Sequence, residues 1–195
     1  TSIAVPEGVL SESTEYRVQA RHRGSTYGES AWSHATVTTK ASFILVFESN
    51  MAYVFESAST LYISITALSD SKALVTYRGS GNYGTACVLS VSGTTVTVGT
   101  PVVFDLAITD YISVTALSDS KALVTYQDNS KLNYGTACVL SVSGTTVTAG
   151  TPFVFEYASS FYISVTAFSD TKALVTYQDN GNSGYGTAQV LSEVA

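Results

Sequence analysis

Tyr62-Ile63-Ser64-Ile65-Thr66-Ala67-Leu68-Ser69-Asp70-Ser71-Lys72-Ala73-Leu74-Val75-Thr76-Tyr77 decides the fold, because it returns almost unchanged at Tyr111 to Tyr126 and again at Tyr162 to Tyr177. The spacing is 49 and then 51 residues, and self-similarity at such a period marks a repeat architecture. The two-residue difference falls in one segment, Arg78-Gly79-Ser80-Gly81-Asn82 in the first copy against the longer Gln127 to Asn133 and Gln178 to Gly184. Length variation of that kind belongs to a surface loop. Tyr83-Gly84-Thr85-Ala86-Cys87-Val88-Leu89 and its counterparts from Tyr134 and Tyr185 follow the loop, then Ser92-Gly93-Thr94-Thr95 and Ser143-Gly144-Thr145-Thr146.

Turn residues cut each copy into four strand-length pieces. In the second copy these are Tyr111 to Leu117, Lys121 to Gln127, Gly135 to Val142, and Thr145 to Phe155, the last broken by Gly150-Thr151-Pro152. Lys121 to Tyr126 and Gly135 to Val142 are apolar or small at both parities, as in strands covered on both faces. Thr145-Thr146-Val147-Thr148 is mostly polar and reads as an outer edge. Phe55, Phe104 and Phe155 recur at one repeat position and are expected between stacked sheets, each worth about 2–3 kcal/mol of burial. Four antiparallel strands in about 50 residues have the size of one propeller blade.

Ala116-Leu117-Ser118-Asp119-Ser120-Lys121-Ala122-Leu123-Val124-Thr125-Tyr126-Gln127-Asp128, followed by Tyr134-Gly135, resembles a bacterial and viral family of β-propeller repeats of roughly fifty residues. In that family a Leu-Ser-Asp turn leads into a Val-Thr-Tyr-Gln-Asp strand end. The resemblance covers about residues 50–195 and implies a fold, not an activity. Similarity to the sialidase Asp-box is weaker, since Ser118-Asp119-Ser120 lacks the following Gly and the Thr-Trp pair. No sialidase chemistry is carried across.

Residues 1–41 differ in kind and hold the only Trp and both His. Leu10 to Tyr16, then Arg17-Val18-Gln19-Ala20-Arg21, resembles the corner and penultimate strand of a fibronectin type III domain, whose corner Tyr ties to backbone. Gly28-Glu29-Ser30-Ala31-Trp32-Ser33 and Ala35 to Thr39 continue that pattern. The expected organisation is therefore all-β: a partial fibronectin type III-like segment over 1–41, then three propeller-like repeats over 42–195, at about 50–99, 100–150 and 151–195. Three blades cannot close a ring of the usual ~4–8. Closure is expected from further parts of the same polypeptide or from other copies of the chain, with a continuous solenoid as a third arrangement.

The whole chain has 195 residues, 45% of them hydrophobic and 12% charged, and a formal charge of −6. That balance predicts a globular rather than disordered chain. Apolar runs such as Phe43 to Phe47 are strand-sized, well short of the ~20 residues of a spanning helix, so membrane insertion is not expected. Nine Lys and Arg among 15 acids form no basic stripe, which argues against a nucleic-acid partner.

None of the repeated polar residues stands out as a reactive group. Cys87 and Cys138 occupy equivalent positions in successive repeats; stacked sheets lie ~10 Å apart while a disulfide needs Cα atoms within ~7 Å, so both are expected as buried free thiols. Neither has a His in its own repeat to generate a thiolate. Asp70, Asp119 and Asp170 lie in identical turns, where Asp bonds local backbone, and identity among copies leaves none singled out as acid or base. The loop from Asp179 to Gly184 lacks the oxygen-rich ligands of a calcium loop at Gly181 and Ser183. His22 and His34 have no third ligand nearby in sequence, and Arg17, Arg21 and Arg23 share one parity of a strand and read as a solvated face. No catalytic residue, metal site or cofactor is expected.

The candidate ligand-binding residues are Asn82 and Tyr83, Asn133 and Tyr134, and Asn182 and Tyr185, in the variable loop. Tyr faces stack on sugar rings, Asn amides bond hydroxyls, and repeated weak sites gain by multivalency; alternatively, Gly and Asn there simply make the turn. The functional expectation is a non-enzymatic structural and adhesive module of a larger phage tail, fibre or bacterial surface protein, a rigid display scaffold on the virion or outside the cell. A carbohydrate-binding propeller recognising cell-surface glycans is the first alternative, and a non-catalytic part of a larger hydrolase is the second.

Overall fold

The structure is a computed structural model and describes residues 15–20, 33–38 and 52–193. The chain divides into two units, Thr1–Ser49 and Asn50–Ala195. In the first, β1 (Glu15–Ala20) and β2 (Ser33–Thr38) form an antiparallel pair with Glu15 opposite Thr38 and Ala20 opposite Ser33. The expected corner from Leu10 to Thr14, Arg21, His22, Arg23 and the turn from Gly28 to Trp32 lie outside the described residues.

The second unit is built from β3 (Leu61–Ser69), β4 (Lys72–Arg78), β5 (Tyr83–Ser92), β6 (Thr95–Val98), β7 (Val102–Ala116), β8 (Lys121–Asp128), β9 (Tyr134–Ser143), β10 (Thr146–Ala149), β11 (Phe153–Ser169), β12 (Lys172–Asp179) and β13 (Tyr185–Ser192). All pairings are antiparallel, in the order β13-β12-β11-β9-β8-β7-β5-β4-β3, with β10 added to β9 and β6 to β5. The array is not closed. The first three strands recur in each repeat, and the first two repeats add a further outer strand and the strand that leads into the next, so the chain contains three successive sheet modules.

The boundaries of the repeats differ from the sequence reading in one respect. The end of one repeat's fourth strand and the start of the next repeat's first strand are a single strand, β7 or β11. The first part of β7 pairs with β5, Val102 opposite Ala86, and its second part pairs with β8, Val114 opposite Val124. The partner changes between Ile108, opposite Tyr83, and Thr109, opposite Asp128, so the strand passes from one sheet to the next without a loop. A register shift follows within the β8 pairing at Tyr111, whose φ is +50°.

Successive modules stack through these shared strands. In each module the first strand is the edge of its own sheet, so alternate amides point away from any ladder. Ser64 Oγ accepts from the Val114 amide at 3.1 Å and Thr66 Oγ1 from the Ala116 amide at 3.0 Å. One repeat later Ser113 and Thr115 do the same for Val165 and Ala167, each at 3.1 Å. The Ser-x-Thr spacing places both hydroxyls on one face of the strand, which accounts for the repeated Ile-Ser-Ile/Val-Thr-Ala.

Apolar packing fills the rest of the gap. Leu74, Ala86 and Val88 of the first module meet Val114, Val124, Cys138 and Leu140 of the second in one buried cluster. Phe104 and Phe155 are buried and lie 5.3 and 5.4 Å from the rings of Tyr126 and Tyr177, as Phe55 lies 5.3 Å from Tyr77. The expectation that these rings sit between sheets therefore matches Phe104 and Phe155, while Phe55 packs on Val75, Tyr77 and Cys87 of the first module alone. The same rings explain the Tyr-Gly motif: a Cβ on Gly84 would come within 2.6 Å of Phe104, and one on Gly135 within 2.6 Å of Phe155. Gly135→Val should force the Phe155 ring aside and cost about 1–3 kcal/mol, read as a lower midpoint in urea unfolding.

Candidate functional site

The turn from second to third strand, the crossover into the next module and the start of each first strand all lie at one end of the modules. The register requires it, since Leu61 is opposite Arg78, Asp179 is opposite both Ser160 and Tyr185, and Tyr83 is opposite Ile108. The candidate loop residues are at this end.

Tyr62, Tyr111 and Tyr162 also gather there. Their rings form a row, with Tyr111 5.2 Å from Tyr62 on one side and 5.2 Å from Tyr162 on the other, and Phe161 edge-on to Tyr111 at 5.7 Å. All three tyrosines have a positive φ of 50–52°, a conformation that costs a non-glycine residue on the order of 1–3 kcal/mol. Spending that cost three times at one position fixes the direction of three rings. Tyr162 is 71% exposed and Tyr62 37%. Arg78 lies over the Tyr62 ring at 5.1 Å and forms an ion pair with Asp110. Partial burial and the neighbouring Tyr62, Tyr162 and Asp110 raise the pKa of the central Tyr111 hydroxyl, so it stays a donor at neutral pH.

The predicted loop residues divide into two groups. Asn82 and Asn133 both have φ of +65°, immediately before their Tyr; the third loop uses Gly184, φ +75°, at this place. Left-handed backbone favours Gly and Asn, so the turn itself accounts for these residues. Asn133 Oδ1 also accepts from Asn129 Nδ2 at 2.8 Å. Asn182 sits in the preceding 3-10 turn and is not the counterpart of Asn133, so the three asparagines are not one repeated set. Tyr83 and Tyr185 are exposed, while Tyr134 is half-buried and packs edge-on to Tyr157 at 5.7 Å. No ring contact joins Tyr83, Tyr134 and Tyr185 among the described residues. The row at Tyr62, Tyr111 and Tyr162 was missed as a site because a Tyr opening an apolar run reads as a strand; its recurrence in every copy was the available signal.

In each module a buried phenol stands near a half-buried acid. Tyr77 and Tyr177 hydroxyls donate to Glu56 and Glu156 at 3.1 and 2.9 Å. The second module has Asp105 instead of Glu, one methylene shorter, and the fully buried Tyr126 hydroxyl has no partner. Asp105 Oδ2 accepts from Thr109, and burial, then the charge of Asp128, raises its pKa. Asp128 is buried too, which pushes its carboxyl up, yet hydrogen bonds from Lys131 and Ser130 outweigh that and hold it low. Lys131 Nζ stands 2.7 Å from Asp128 Oδ2 as an ion pair. Both cysteines are buried and free, and burial pushes the Cys87 thiol up to about 11, far from a reactive thiolate. No cluster of three metal-ligating side chains occurs among the described residues. What this end presents is an aromatic, hydrogen-bonding surface on a rigid base.

No protein family matches the chain, and no curated protein matches it. Among solved structures it is similar to the crystal structure of the NanB sialidase from Streptococcus pneumoniae in complex with 2-[(3-chlorobenzyl)ammonio]ethanesulfonate, with a TM-score of 0.48 and 11% identity over 95% of this chain and 30% of that one. The chain thus spans less than a third of that protein's length.

Asp105→Glu should restore the missing acid–phenol bond and stabilise the protein by about 1 kcal/mol, seen as a higher midpoint in urea. Lys131→Met tests the opposite sign. A carboxylate with a depressed pKa contributes stability above its unfolded value and loses it as pH falls through the folded one. Without Lys131 that loss begins at higher pH, so the acid-unfolding midpoint should rise, as followed by circular dichroism.

Proposed function

We propose that the chain is a non-enzymatic structural and adhesive module whose propeller-type blades hold variable loops on a rigid base, as part of a larger phage tail, fibre or bacterial surface protein. The observation that carries this reading is the repeated stacking contact: Ser and Thr hydroxyls of one module bond the backbone of the next while a Phe ring seals the gap. Such contacts set the loops at fixed intervals and leave their tips exposed, with Leu132 73% and Tyr185 64% accessible. Binding residues tend to sit on loops held by rigid scaffolds.

A carbohydrate-binding reading is favoured by a different observation, the row of three strained tyrosines. Exposed Tyr162 offers a ring face to a sugar, and phenol and amide groups at the same end offer hydrogen bonds. Several such sites along an array would gain by multivalency.

Replacing residues 128–133 by the shorter loop of the first repeat tests the display reading. A rigid base should hold its melting temperature within about 2–4 °C, the shift that ~1 kcal/mol produces at this size; collapse of the whole array would overturn it. A glycan array probed with the wild type, Tyr162→Ala and Tyr185→Ala tests the second reading. Glycan binding lost with Tyr162→Ala and kept with Tyr185→Ala would assign the row as the site, and absence of binding to any glycan would reject it.

A further inference from the structure

The third module lacks, among the described residues, a strand on the outer side of β13, and its surface differs from its counterparts in a consistent way. Gly84 and Gly135 are each covered by a Phe ring, whereas nothing lies within 4 Å of a Cβ placed on Gly186. Val190 is 51% exposed and Ala188 is exposed, while Val88, Ala86 and Ala137 are fully buried. Ser164 and Thr166 are exposed, although the equivalent Ser64, Thr66, Ser113 and Thr115 all accept from amides of a following module.

Residues 52–60 show the converse. They repeat the sequence positions of 101–109, where β7 pairs with β5. Phe55 packs on Tyr77, and Glu56 accepts from its hydroxyl, as Phe155 and Glu156 do with Tyr177. Yet residues 52–60 form no strand, and Val54 is 79% exposed. They hold the sequence positions of a fourth strand but pair with no strand among the described residues. The adjoining face of the first module is open as well: Ile63 and Ile65 are 53% and 58% exposed, against 7% and 6% for Ile112 and Val114.

We propose that these two surfaces are complementary halves of one interface between copies of the chain, residues 52–60 of one copy adding as the fourth strand to β13 of another. The established modules fix the register. Thr85 is opposite Val103 and Thr136 opposite Val154, so Thr187 takes Val54, and Phe55 of the second copy seats over Gly186. Ser164 and Thr166 then accept from the amides of Ile65 and Ala67. Main-chain pairing supplies affinity and the Phe-over-Gly seat supplies register, as in other strand additions. The contact is head-to-tail, and two such contacts close a two-copy ring of six modules; that count alone rests on the propeller-type reading.

The full chain should therefore sediment at twice its 20.5 kDa mass at micromolar concentration. Gly186→Val fills the seat without touching anything in its own chain, so it should yield a monomer with unchanged circular dichroism. Val54→Cys combined with Thr187→Cys should give an interchain disulfide on mild oxidation. A monomeric wild type at 100 µM, or a dimer that survives Gly186→Val, would overturn the proposal, as would completion by a further segment of a longer polypeptide that leaves purified longer chains monomeric. None of these results bears on loop display or glycan binding.

Discussion

An edge strand carries amides that its own sheet cannot satisfy, and everything else in the array follows from how those amides are met. Here the first strand of each module turns its free N–H groups toward the preceding module, where Ser and Thr hydroxyls accept them. Unmet, each buried donor would cost on the order of 1–3 kcal/mol. Meeting them fixes the separation and the register of neighbouring modules together, because two hydroxyls two residues apart must align with two amides two residues apart. A sliding error of one residue would present apolar side chains to the amides.

The apolar contacts are compatible with that spacing and none other. Phe104 and Phe155 fit because Gly84 and Gly135 leave room beneath them, and the Tyr rings opposite are held by carboxylates where the chain has Glu. Asp105 breaks this pattern and leaves Tyr126 without a partner. The middle module thus has the best-covered faces and the worst-satisfied polar group. A buried phenol hydroxyl without a partner is a cost that the other two modules avoid by one methylene.

Much of this architecture was legible in the sequence. The period, the four pieces per copy, the variable loop and the inter-sheet Phe positions follow from repetition and turn residues alone. The bulges at Tyr111 and Tyr162 were not legible, because neither residue carries a sign of a positive φ; Tyr is a strand former by propensity. The candidate site was half legible. Tyr83 and Tyr185 are exposed as expected, but Asn82 and Asn133 serve the turn, and the row at Tyr62, Tyr111 and Tyr162 emerges only when three first strands converge at one end. Single-sequence reading ranks loops above strands as binding elements and so looks past residues at a strand's first position.

Repetition of this kind makes stability a sum of module and interface terms, so the interface term decides whether the loops sit on one rigid body or on three loosely linked ones. Hydrogen exchange at individual amides measures that term directly. The amides of Val114, Ala116, Val165 and Ala167 should exchange only with global unfolding, and the equivalent amides of Ile65 and Ala67 in the monomeric Gly186→Val chain should exchange far faster. Equal, fast exchange at all six would mean that the hydroxyl-to-amide contacts do not hold the modules together, contradicting the account at its base.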